Sequence, residues 1–285
     1  MKAKLNNKRR KLLKTSFSLV GLGLVGTNLI YAKETARISK KTQDSKHSLN
    51  SSYESLKQTD PEFFSNHTHF AFEEVSVKSN LEEREHLMII LASLIAIPAL
   101  SEYKSLVQIA LDSKVSPVAI KEILYQATPY VGMGKVIDFI HASNEIFVAN
   151  NIALPLQPQG TTTKENRKEK GLSIQRKLFG DAIDRGNSTA PADVKHIREF
   201  LSANCFGDYY TRGGIDLKFR ELLTFVYILS MGGAQPQLIA HVSGNLKVGN
   251  DRAKLIATIT ALIPYIGYPR SLNALSAVDE IIPAS

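Results

Sequence analysis

Apolar side chains recur along this chain at spacings of three and four, not two. From Pro117 onward, Ile120, Ile123, Leu124 and Ala127 fall at i, i+3, i+4 and i+7, the stripe of an amphipathic helix. Leu255, Ile259, Leu262 and Ile263 form a second such stripe. Glu83 to Leu100 is rich in Leu, Ile and Ala and is too long for one strand. Ser116-Pro117 supplies an N-cap hydroxyl and a first-turn proline, and Asp251 supplies a cap for the later stripe. Pro129 and Pro264 are expected to end these helices, with Gly132 and Gly267 allowing the turn that follows. No alternating strand pattern persists, so the expected fold is all-α.

The helical pattern is written twice. Thr128-Pro129-Tyr130-Val131-Gly132 precedes an apolar helix ending Asn144-Glu145-Ile146. Ile263-Pro264-Tyr265-Ile266-Gly267 precedes another ending Asp279-Glu280-Ile281. Upstream, Arg84-Glu85-His86-Leu87 is answered by Arg220-Glu221-Leu222-Leu223. A repeat of this length predicts two tandem helical domains. The first spans 61–150 and the second 171–285. Residues 151–170 are expected to be a linker: Leu154-Pro155-Leu156-Gln157-Pro158 cannot continue a helix, and Lys164 to Lys170 is a solvated charge run. Residues 33–60, polar and poor in apolar positions, are expected to be a disordered tether.

Charge changes the picture only at the N-terminus. The net charge of +8 includes seven basic residues within 1–32, where no acid occurs; without them the remainder carries +1. A nearly neutral body offers no electrostatic case for a nucleic-acid partner. Residues 1–32 have the form of an export signal: a basic segment, an uncharged apolar stretch from Thr15 to Ile30, and a cleavage site near Ala32. Lys8-Arg9-Arg10-Lys11 resembles a twin-arginine signal, the alternatives being an ordinary secretory signal or an uncleaved anchor. The expected location is periplasmic or otherwise exported, and membrane contact is expected only through an uncleaved leader. The chain has one cysteine, Cys205, so it can form no intrachain disulfide and no cysteine metal cluster. His67-Thr68-His69 lacks a third ligand nearby, and no metal site is expected.

The order of segments in the second copy is specific. Tyr210-Thr211-Arg212-Gly213-Gly214-Ile215-Asp216 leads to Arg220-Glu221-Leu222-Leu223-Thr224. Gly232-Gly233-Ala234-Gln235-Pro236-Gln237-Leu238 leads to His241, and Pro264-Tyr265-Ile266-Gly267-Tyr268-Pro269-Arg270 closes the set. This series resembles the carboxymuconolactone decarboxylase family, which shares its fold with alkylhydroperoxidase D-like proteins. The first copy resembles it more weakly from about Leu81 to Phe147. The resemblance implies two alkylhydroperoxidase D-like helical domains, self-association into a homo-oligomer, and no cofactor.

The peroxidase branch of this superfamily uses a Cys-x-x-Cys pair ahead of the histidine. The matching stretch here, Ala234-Gln235-Pro236-Gln237, holds no sulfur, so thiol peroxidase chemistry is unsupported. The decarboxylase branch needs a proton donor, an anion-binding cation and a dry pocket. The resemblance makes His241 and Glu221 the catalytic candidates, since imidazole titrates near neutrality. Arg270, Arg220 and Arg212 are candidates to hold a carboxylate, and Tyr265 to donate a hydrogen bond. The implied partner is a small carboxylate-bearing molecule such as a lactone. An antioxidant protein without the cysteine pair and a non-catalytic ligand-binding oligomer are the alternatives. The first copy carries Leu106 and Val107 where the second carries His241, so it is expected to be a degenerate half. The competing expectation is that it donates Glu85 or Lys135 across a shared interface.

Overall fold

Among the residues described by the computed structural model, which are Tyr53 and 55–284, all regular structure is helical. The export leader and most of the tether lie outside the described residues. The first copy comprises α1 (Pro61–Thr68, running on through a π-helical His69–Val75), α2 (Glu83–Ala96), α3 (Leu100–Asp112), α4 (Pro117–Val131) and α5 (Met133–Ala149). Two helices follow, α6 (Arg167–Phe179) and α7 (Ala182–Ser188). The second copy comprises α8 (Lys195–Phe200, running on through a π-helical Leu201–Tyr210), α9 (Leu217–Met231), α10 (Gln235–Lys247) and α11 (Arg252–Ile281, broken at Gly267).

Local chemistry accounts for the boundaries. Ser116 Oγ accepts from the Ala119 amide at 3.1 Å and Asp251 Oδ1 from the Lys254 amide at 2.8 Å, so both expected caps form. The prolines do not end the helices as expected. Pro129 and Pro264 lie inside them, and the break comes at Gly132 and Gly267, whose φ values are 85° and 75°. A proline removes one amide donor and is tolerated near a helix end. The left-handed glycine is what redirects the chain.

Two other expectations need correction. The end of the tether is ordered: Leu56–Thr59 is helical, and Tyr53 Oη donates to Glu102 Oε1 at 2.6 Å. The Tyr53 ring also meets His67 edge-on at 5.2 Å, an anchor that polar composition does not reveal. Helix α6 begins at Arg167, inside the stretch expected to be linker. Its seat against the π-helical segment 201–210 is built on glycine: a Cβ on Gly171 would meet Ser202 O at 1.9 Å, and one on Gly207 would meet Arg167 O at 2.2 Å.

The two copies interlock. Helices α2 and α9 pack on each other, with Ser230 Oγ donating to Ser93 Oγ at 2.9 Å. Both are buried around most of their circumference, including Ile89, Leu91 and Ile95 on one and Leu223, Phe225 and Val226 on the other. Each such side chain contributes roughly 1.5–3 kcal/mol on burial, so neither helix has a stable solvent-facing alternative. Helix α4 of the first copy also packs on α9 of the second, and α11 of the second on α2 of the first. This exchange carries first-copy side chains up against Glu221 and His241 of the second copy.

Candidate functional site

The site is built where α9, α10 and α4 meet. Glu221 projects from the first turns of α9 and His241 from the middle of α10, and both are buried, with His241 only 7% exposed. His241 Nδ1 lies 2.6 Å from Glu221 Oε1. Two features seat the carboxylate against α10. Gly244 leaves room for it, since a Cβ there would stand 2.2 Å from Glu221 Oε1. Asn245 Nδ2 donates to the backbone oxygens of Glu221 and His241, at 3.1 and 2.7 Å, and so ties the two helices together.

Further donors converge on the same carboxylate. Tyr210 Oη donates to Glu221 Oε2 at 2.7 Å and lies 2.6 Å from Thr224 Oγ1. Tyr130 Oη, from the first copy, donates to Tyr210 Oη at 3.1 Å. Cys205 Sγ faces Tyr130 Oη at 3.6 Å. Burial holds both phenols well above the ordinary tyrosine range, so they remain neutral donors. The protons of Tyr130 and Tyr210 thus point in sequence toward Glu221. With the carboxylate accepting from Nδ1–H of His241 as well, Nε2 is left as the free ring nitrogen. Aromatic edges wall the ring: Phe179, at the end of α6, lies 5.3 Å from it and Tyr130 lies 5.9 Å from it.

Burial pushes the Cys205 thiol up to about 12. It is therefore not a thiolate near neutrality, and the chain holds no second cysteine to resolve an oxidised one.

The other candidates fall elsewhere. Arg212 and Arg220 converge on Glu122 of α4, Arg212 through Nε and Nη2 at 2.9–3.1 Å and Arg220 through Nη2 at 2.8 Å. Arg220 is fully buried and also donates to Gln126 Oε1 at 3.2 Å and to the Gly213 oxygen at 2.6 Å. Its guanidinium fixes the two copies together and is not presented to a ligand. Arg270 lines a small cleft with Gly232, Gln235 and Asn273, at the far end of α9. At ~1.5 Å rise per residue that end lies about 16 Å from Glu221. Among the described contacts, none of the three arginines reaches His241. Tyr265 is half-buried near Glu102 of the first copy, and among the described contacts it does not reach His241.

Sequence reasoning missed Tyr130, Tyr210, Gln126 and Glu122. The repeat itself held a signal for the first of them. Ala96 and Met231, Asp112 and Lys247, and Gly132 and Gly267 mark equivalent points 135 residues apart. In that register Tyr130 is the counterpart of Tyr265, and interlocked helices place each tyrosine in the opposite copy. The same register puts His86, not Glu85, at the place of Glu221, and Leu106 at the place of His241. Both members of the pair are thus replaced in the first copy. Glu85 does cross to the second copy, but to Lys254 Nζ at 2.8 Å and not to the His241–Glu221 pair, and Lys135 is exposed.

An all-helical tandem repeat with one buried His–Glu pair, completed by a tyrosine from the other copy, defines the class. The chain belongs to the carboxymuconolactone decarboxylase family, whose sequence model matches twice, over residues 61–145 and 196–280. A curated relative, 4-carboxymuconolactone decarboxylase of Acinetobacter baylyi, is 23% identical over 118 residues, covering 41% of this chain and 87% of the relative.

Proposed function

We propose that this protein is a cofactor-independent proton-transfer enzyme that decarboxylates a small carboxylated lactone or related molecule. The observation that carries this reading is the buried 2.6 Å contact between His241 Nδ1 and Glu221 Oε1, with Tyr210 donating to the other carboxylate oxygen. In the proposed step the bond between the substrate's carboxylate and its ring carbon breaks and CO₂ leaves. The electron pair delocalises into the lactone, and the imidazolium of His241, charged at Nε2 by a proton taken up from solvent, delivers that proton to carbon and returns to the neutral ring. Glu221 stabilises the imidazolium that precedes the transfer, and Tyr210 and Tyr130 hold Glu221 in place. The aromatic edges of Phe179 and Tyr130 keep the ring nearly dry, which suits a reaction that disperses charge. The basic leader supports an exported setting, and the exposed Ile197, Phe200 and Leu201 of α8 support self-association.

The test supplies purified protein with 4-carboxymuconolactone and follows CO₂ release. Wild type should release it, and His241→Ala should slow release by about 10²–10⁴-fold while circular dichroism shows the variant still folded. Absence of release from wild type, or full activity in His241→Ala, overturns the reading in favour of a ligand-binding protein or a different site.

A further inference from the structure

We propose that a second site, separate from His241, binds a small carboxylate with an apolar aromatic or alicyclic body. It is the cleft of about 440 Å³ between α4, α5 and the loop 154–159. That volume falls within the usual range of small-molecule sites, roughly 300–1,000 Å³.

The charge balance of its wall calls for an anion. Glu122, which lines the cleft, is the carboxylate shared by Arg212 on the wall and by the fully buried Arg220 behind it, so two guanidiniums face a single negative charge. Lys121, next to it on α4, adds a third cation. Its Nζ donates to Asn144 Oδ1 at 2.5 Å and sits over the Phe147 ring at 5.7 Å, and both partners are neutral. Only 6% of Lys121 is exposed. Burial lowers its pKa, as expected of an ammonium held without a carboxylate. An entering carboxylate would supply the missing charge.

The cations are placed to receive it. Arg212 binds Glu122 through Nε and Nη2, which leaves Nη1 without a hydrogen bond among the described residues, and its side chain is 21% exposed. Tyr125 lies beneath the same guanidinium at 5.0 Å and fixes its plane. The remaining wall is mixed: Val118, Ile140, Leu154 and Leu156 offer contact to a hydrocarbon body, and Gln157 and Gln159 stand at the loop side. Glu122 and Tyr130 are two turns apart on α4, about 12 Å at ~1.5 Å rise per residue. The cleft and the His241 ring are therefore distinct places, and this inference does not depend on the reaction proposed at His241.

Calorimetric titration with benzoate, and with benzamide as its neutral counterpart, tests the proposal on the wild-type chain and three variants. Wild type should bind benzoate saturably and benzamide at least tenfold more weakly. Lys121→Met should weaken benzoate about tenfold or more, the loss of one charge-assisted hydrogen bond. Ile140→Trp, which fills the cleft without touching a charge, should abolish binding, and circular dichroism should show both variants folded. His241→Ala should bind benzoate as wild type does. Equal affinity for benzamide, undiminished binding in both cleft variants, loss of binding in His241→Ala, or no saturable binding to wild type would each overturn the proposal.

Discussion

Tyr130 and His241 belong to different copies of the repeat, yet their rings meet edge-on at 5.9 Å. The phenol continues through Tyr210 to Glu221, so one copy buttresses the His241–Glu221 pair of the other. Tyr130→Phe removes the first hydroxyl of that chain and should slow decarboxylation about tenfold, near 1.4 kcal/mol. Tyr265→Phe, the same change at the equivalent position, should leave turnover unaltered because Tyr265 sits beside Glu102. Steady-state kinetics on the two variants decide the matter, and equal effects would mean that the copies do not divide the work.

Gly244 is where α10 makes room for the Glu221 carboxylate. A Cβ there would stand 2.2 Å from Glu221 Oε1, so Gly244→Ala forces the carboxylate off His241. Overpacking of this kind costs about 1–3 kcal/mol, while alanine returns up to ~1 kcal/mol of helix propensity. The expected result is a small net destabilisation with a large loss of turnover. Thermal melts and kinetics measured together check it, since a merely structural glycine would lose stability and activity in proportion.

What could be read in the sequence and what could not divides along one physical line. Helix stripes, caps and glycine breaks are local, and Ser116, Asp251, Gly132 and Gly267 behave as their neighbours dictate. The His241–Glu221 pair was reachable because each residue carries its own chemistry and lies on an adjacent helix. The fate of the arginines was not reachable. Arg220 looks like a ligand-binding group until α4 brings Glu122 to it from 98 residues away, and the same carboxylate draws Arg212, 90 residues away, off His241 and to the wall of another cleft. Packing between copies also decides Tyr130: the repeat marks it as the counterpart of Tyr265, but only the interlocked helices bring it to His241.

The Glu122 carboxylate holds two arginines and one side of the interface between copies. Glu122→Gln would leave Arg220 fully buried with no anion, and loss of one partner of a buried pair costs about 3–5 kcal/mol. Combining it with Arg220→Met replaces the stranded charge with an apolar stem and should recover a large part of that loss. Urea unfolding of the single and double variants measures both effects. A double variant as unstable as the single one would show that Arg220 contributes through its other hydrogen bonds, to Gln126 and Gly213, instead.

His86, at the counterpart of the Glu221 position, gives the first copy a pH dependence of its own. Burial lowers its pKa from 6.5 to about 4, so the folded state favours the neutral ring. The unfolded chain binds the proton more readily, and stability therefore rises with pH across this window. The contribution is fully present above about pH 6.5 and is lost as pH falls through about 4. Each tenfold change in proton affinity is worth ~1.4 kcal/mol, and the ring is not wholly sealed from water, so the loss should be about 1–3 kcal/mol. His86→Leu removes the titrating group while keeping an apolar side chain. Urea midpoints at pH 7 and pH 4.5 should therefore differ less in this variant than in wild type. An identical drop in both would mean that carboxylates alone govern acid stability and that His86 is protonated without cost.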